Sequence, residues 1–87
     1  MKVIVWYKTY ACGEEEHKVY YLKDKSDSEL IDALRELWEK ELNTPEYDID
    51  SHIEDTWFET AEATASAQVM DDDWTLSMWI EEVKEEL

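Results

Sequence analysis

Only one cysteine (Cys12), one glycine (Gly13), one proline (Pro45) and one phenylalanine (Phe58) occur in the 87 residues. A lone cysteine cannot close an internal disulfide, so packing has to hold the fold, and the chain suits a reducing compartment. A single glycine excludes the glycine-rich phosphate loops and the nucleophile elbow of hydrolases. Long hydrophobic runs are missing as well: no stretch approaches the roughly 20 apolar residues of a membrane-spanning helix. The opening Met-Lys-Val-Ile-Val-Trp-Tyr-Lys is far shorter than a signal-peptide core and carries no small-residue cleavage site. A cytoplasmic protein is the expectation.

Basic residues are the other scarcity. Eight Lys and Arg face 24 Asp and Glu, for a net charge of −16 and a pI near 4.2. Residues 1–40 contribute −2 of this, whereas residues 41–87 contribute −14 and hold Lys84 as their only base. Charge so distributed repels DNA, RNA and anionic membranes and attracts basic partners. Direct nucleic-acid binding is excluded first.

What is abundant is bulk apolar surface. Hydrophobic residues make up 44% of the chain and include five Trp and five Tyr, enough to drive collapse against the charge. The length suits one core, so a single domain spanning 1–87 is expected.

Met1 to Ala11 reads as a strand with Val3, Val5 and Tyr7 on one side and Ile4, Trp6 and Tyr10 on the other, apolar on both and hence internal to a sheet. Cys12-Gly13 with Glu14 to Glu16 is a turn, and His17 to Lys23 completes a hairpin. Ser26 with Glu29 has capping-box spacing, and Leu30, Ala33, Leu34, Leu37 and Trp38 recur at helical spacing, predicting a helix over 27–42 that Asn43-Thr44-Pro45 ends. Residues 46–55 read as an acidic loop. From Thr56 to Val69 alanines alternate with polar residues, which predicts one long strand whose small side chains let helices pack closely. Asp71 to Asp73 would cap a final helix over 74–87, with Leu76, Trp79, Ile80, Val83 and Leu87 as its buried stripe. The expected fold is therefore α+β: β-β-α-β-α, a three-stranded, mainly antiparallel sheet with two helices on one face.

Asp48, Asp50, His52 and Glu59 stand at positions 1, 3, 5 and 12 of a calcium-loop spacing, but Ile53 occupies the sixth position, where that loop requires glycine. No metal site is predicted from them. Cys12 lies beside Glu14 to Glu16, which oppose thiolate formation, and His17 sits near the turn. No catalytic constellation and no cofactor are predicted.

The acidic surface is the strongest signal. On a helix, Glu81/Glu85 and Glu82/Glu86 would be like-charge i,i+4 pairs at the negative end of the dipole, an arrangement that stability does not select. Helical carboxylates roughly 6 Å apart, or strand ones about 7 Å apart, match the spacing of phosphates along a nucleic-acid strand. A domain face of about 30 Å faces roughly 18 phosphate charges on a duplex, comparable with −16. Simple solubility needs a net charge of only about 2–8. Adaptation to high salt is the competing explanation, although it should spread charge along the whole chain.

The aromatic strand Val5-Trp6-Tyr7-Lys8-Thr9-Tyr10, the Cys12-Gly13 turn, the second strand, the acid-capped helix and Pro45-Glu46-Tyr47 leading into Asp50 to Asp55 together resemble one module of the ArdA-type antirestriction proteins, over residues 3–57. They belong with the small phage and mobile-element DNA mimics that inhibit restriction or CRISPR enzymes. Lys40-Glu41-Leu42 through Pro45-Glu46-Tyr47 is similar to a stretch of barstar-like nuclease immunity proteins. The resemblance implies a DNA-mimic inhibitor acting in the host cytoplasm, with carboxylates from Asp48 onward in the basic channel of a nuclease. The expected partner-binding set is Asp48, Asp50, Glu54, Asp55, Glu59, Glu62, Asp71, Asp72, Asp73, Glu81, Glu82, Glu85 and Glu86, with Trp57 or Trp74 as apolar anchors. The expected partner is a basic nucleic-acid-binding protein or nuclease complex, bound by a monomer or homodimer. The alternative is an acidic adaptor or immunity protein docking a basic protein.

Overall fold

The structure, a computed structural model, describes residues 2–43 and 56–83. In chain order the elements are β1 (Lys2–Tyr10), β2 (Glu15–Tyr21), α1 (Asp27–Leu42), β3 (Thr56–Ala61), β4 (Thr64–Met70) and β5 (Trp74–Glu82). The five strands form one sheet in the order β2-β1-β5-β4-β3, every neighbouring pair antiparallel. Thus β5, the last strand in the chain, is central, and β2 and β3 are the edges.

The N-terminal half follows its sequence pattern. The β1–β2 turn closes with the Tyr10 N–H donating to the Glu14 carbonyl and the Gly13 N–H to the Tyr10 carbonyl, both at 2.9 Å. Gly13 has φ +96°, a conformation that side-chain-bearing residues rarely adopt. At the start of α1 the predicted capping box is complete: Ser26 Oγ accepts from the Glu29 N–H at 3.3 Å, and Glu29 Oε1 from the Ser26 N–H at 3.0 Å. These bonds to Ser26 hold the Glu29 carboxyl below its ordinary value of 4.5. Because the folded value is the lower one, the cap stabilises fully above the unfolded pKa and loses that contribution as pH falls through the folded value.

The C-terminal half departs from the expected β-β-α-β-α order in two places, and the three-stranded sheet with two helices is replaced, among the described residues, by five strands and one helix. The alternating segment 56–69 is two strands, because a turn at Glu62-Ala63 folds it into a hairpin with Ala61 opposite Thr64 and Thr56 opposite Val69. Residues 74–82 form strand β5 rather than a helix. Leu76, Met78 and Ile80 are buried at two-residue spacing, and a run of Trp, Thr and Ile suits a pleated surface better than a helix. Asp71 to Asp73 accordingly cap no helix. The Asp71 N–H donates to the Trp74 carbonyl at 2.8 Å and Asp71 Oδ2 accepts from the Asp73 N–H at 3.4 Å, which makes them the β4–β5 turn.

Strand pairing assigns every side chain to a face. Ile4 and Trp6 of β1, Leu76, Met78 and Ile80 of β5, and Ala65, Ala67 and Val69 of β4 face α1 and bury Leu30, Leu34 and Trp38. The helix packs on β4 and β5, where Ala65 and Ala67 of β4 are buried in the same core as Leu30, Leu34 and Trp38. The opposite face bears no helix among the described residues. No described helix is long and apolar enough to cross a membrane.

Since Leu34 is fully buried beneath the helix, Leu34→Ala is expected to destabilise the protein by about 2–5 kcal/mol. Urea unfolding followed by Trp fluorescence should show the lower midpoint with an unchanged slope.

Candidate functional site: an acidic turn end and an open sheet face

The predicted partner-binding residues divide into three groups. Asp48, Asp50, Glu54, Asp55, Glu85 and Glu86 lie outside the described residues, as do the Pro45-Glu46-Tyr47 segment and most of the calcium-loop spacing. Asp71, Asp72 and Asp73 form the turn at one end of the sheet. Glu62, Glu81 and Glu82 lie at the other end: Glu81 and Glu82 pair with Val3 and Lys2, and Glu62 sits in the β3–β4 turn, whose Ala63 carbonyl accepts from Lys2 Nζ at 3.2 Å. Along β5 the two ends are eight residues apart, about 27 Å at strand rise. Glu81 and Glu82 project to opposite faces, so the helical row of carboxylates expected of the C-terminal segment does not form in residues 74–82. Glu59 stands on the open face of edge strand β3, opposite Ser66.

Pairing also assembles acids that sequence reading left in separate segments. The Ala11 N–H donates to the Asp73 carbonyl at 2.9 Å, which holds the β1–β2 turn against the β4–β5 turn. Glu14, Glu15 and Glu16 therefore join Asp71, Asp72 and Asp73 at one end, with no Lys or Arg in either turn. Beneath this end, Lys8 is only 5% exposed, and its ammonium lies 5.0 Å from the Tyr10 ring centre and 5.2 Å from that of Trp74. Trp74 thus packs against the core instead of serving as an exposed anchor. Trp57, the other expected anchor, is 40% exposed.

Among the described residues, bases are confined to one side. Lys2, Lys8 and Lys18 are on strands but share the helix-facing parity; Lys2 Nζ contacts Asp27 Oδ1 at 2.6 Å and Lys18 Nζ lies 4.4 Å from the Trp6 ring centre. Lys23 and Lys25 are in the connection to α1, and Arg35 and Lys40 are on the helix. Among the described residues, the opposite face carries Glu15, Glu59 and Glu81 and no lysine or arginine.

That open face is also aromatic. Val19, Tyr21, Trp57 and Met70, the exposed large hydrophobics of the described chain, all project from it. Tyr7 stacks on His17 at 4.3 Å between ring centres and meets Trp79 edge-on at 6.3 Å. The Tyr7 hydroxyl donates to Glu15 Oε2, and this bond to the carboxylate raises the phenol above its ordinary value of 10.0. Tyr7, His17 and Trp79 were missed as a group because strand pairing, not sequence spacing, brings them together. No three His, Cys, Asp or Glu side chains among the described residues converge as a metal site, and Cys12 is an exposed turn residue.

Fold and surface together define a small, mainly β protein in which, among the described residues, the lysines and arginines share the helix side with the acids of α1, while the other sheet face carries acids and aromatics without a base. Comparison with protein families, with curated proteins and with solved structures yields no match to this chain.

A raised folded pKa means the Tyr7–Glu15 pair stabilises fully below the unfolded phenol value and is lost as pH rises through the folded one. In an ultraviolet titration of the five tyrosines, Tyr7 should ionise above 10, and Glu15→Ala should bring it back down. An unchanged titration in that variant would contradict the assigned bond.

Proposed function

We propose that the chain is an acidic binding protein that occupies the basic, nucleic-acid-binding groove of a nuclease, acting in the cytoplasm as an inhibitor of the restriction or CRISPR type rather than as an enzyme. The observation that carries this reading is the one-sided charge. A backbone bond holds the two acidic turns together at one end of the sheet, with no lysine or arginine in either turn, while the described lysines and arginines are kept on the helix side. A field of one sign over an end and a face steers a basic partner and repels nucleic acid. The counterfeit of a phosphate row is here a cluster of turn carboxylates, and not the helical series that the sequence suggests.

A second reading, an acidic adaptor that docks a basic protein without inhibiting it, is favoured by the exposed Val19, Tyr21, Trp57 and Met70, which phosphate mimicry does not require. Inhibition separates the two.

In competition assays against DNA binding by a panel of restriction and CRISPR nucleases, the wild-type protein should displace DNA from a susceptible enzyme, with affinity falling steeply as salt rises. Reversing Glu14, Asp72 and Asp73 to Lys spares Asp71, whose carboxylate helps form the turn. The triple variant should lose at least about a hundredfold in affinity, since truncating or reversing a charge in a close pair removes about tenfold or more per site. Undiminished inhibition by that variant, with the fold intact by circular dichroism, would end the mimic reading.

A further inference from the structure

We propose that the sheet face opposite α1 is a docking surface for an extended, arginine-bearing segment of the basic partner, an inference that rests on the acidic-binder reading and adds the place and chemistry of contact. Pairing lays the face out in cross-strand rows. One runs Trp57, Gln68, Ser77, Tyr7, His17, and the row two residues along runs Glu59, Ser66, Trp79, Val5, Val19. Between Trp57 on β3 and Tyr7 on β1 the floor of the first row is polar, and in the second row Ser66 lies beside Trp79. Gln68 Nε2 donates to Ser77 Oγ at 3.1 Å, which fixes that floor, and a cavity of about 280 Å³ lies at the β3–β4 turn end of the sheet, bordered by Glu59, Ser66 and Trp79 from this face and by Ala65 and Ile80 from the other. From β3 to β1 is three strand spacings, about 14 Å, wide enough to seat one extended chain.

The occupant follows from charge. Glu15 and Glu59 stand at the two edges, and among the described residues the face has no lysine or arginine. A second copy would bring the same carboxylates against them at −16 per chain, and nucleic acid would add phosphates. A guanidinium satisfies both components of the face, since its plane stacks on Trp or Tyr while its fork pairs with a carboxylate. Alternate side chains of an extended segment are about 7 Å apart, the spacing of the rows, so an arginine at every second residue meets them in turn. Lysine offers a point charge without the planar stack.

The test uses two blocked twelve-residue peptides of equal charge, alternating Arg-Val and alternating Lys-Val, titrated into the full chain at matched ionic strength and followed by Trp fluorescence and calorimetry. The arginine peptide should bind about tenfold more tightly than the lysine peptide. Trp57→Ser and Glu59→Gln should each erase that preference, whereas neutralising Glu14, Asp72 and Asp73 to Gln or Asn should weaken both peptides equally and keep the ratio. Trp57 is on an edge strand and 40% exposed; if Trp57→Ser lost its fold by circular dichroism, Glu59→Gln alone would decide. Equal affinities for the two peptides, unmoved by the face variants, would overturn the docking surface and leave acidic binding standing. Binding of neither peptide would overturn both readings. Concentration-dependent dimerisation that Trp57→Ser abolished would assign the face to a second copy and refute the inference.

Discussion

The pairing of β5 between β1 and β4 is the interaction on which the rest depends. It joins the N-terminal hairpin to the C-terminal one, since the described sheet has no other strand that touches both. It also fixes which side chains face the helix: Leu76, Met78 and Ile80 meet Ile4 and Trp6 on one side, and Trp79 meets Val5 on the other. A register slip of one residue would exchange these sets and expose the core, so the buried face specifies the pairing strongly.

One helix can cover only one face of a five-stranded antiparallel sheet, and such sheets commonly leave the other face to solvent. Here that face combines buried Val3 and Val5 on an interior strand with large exposed side chains toward the edges. The described bases have gone to the helix side, where Lys2 pairs with Asp27 and Arg35 lies 4.5 Å from the Phe58 ring centre. The asymmetry is thus a joint product of sheet parity and topology. It is invisible to any count of charge along the chain, which divides acids by position and not by face.

The parts legible in the sequence were those with a local chemical signature: the Gly13 turn, the Ser26–Glu29 cap, and the two-residue alternation of β1 and β2. The β3–β4 hairpin was not, because Glu62-Ala63 contains neither glycine nor asparagine and alanine alternation continues on both sides of it. The segment 74–82 satisfies two periods at once, with Leu76, Trp79, Ile80 and Val83 at helical spacing and Leu76, Met78 and Ile80 at strand spacing. Three aspartates ahead of it fit a helix cap and a tight turn equally, since both employ a carboxylate that accepts a nearby backbone N–H. Tertiary pairing with β1 decided the matter. Of the site, Glu59, Trp57 and the Asp71–Asp73 cluster were identified as residues, but their neighbours across strands required the fold.

The strand form of residues 74–82 also bears on how a chain with −16 stays folded. A helix there would stack Glu81 and Glu82 over further glutamates one turn on, at about 6 Å and without a nearby base. The strand instead sends Glu81 and Glu82 to opposite faces, with Glu82 beside Lys2, and sets them about 27 Å from the aspartate turn. That separation exceeds the screening length of about 8 Å at physiological ionic strength several-fold, so the two acidic ends scarcely repel each other. Within the turn end, the Ala11–Asp73 backbone bond holds the two turns together against their own repulsion and Lys8 lies beneath. Charge is therefore gathered where a partner can reach it and dispersed where it would oppose folding, a distribution suited to binding through an end and a face.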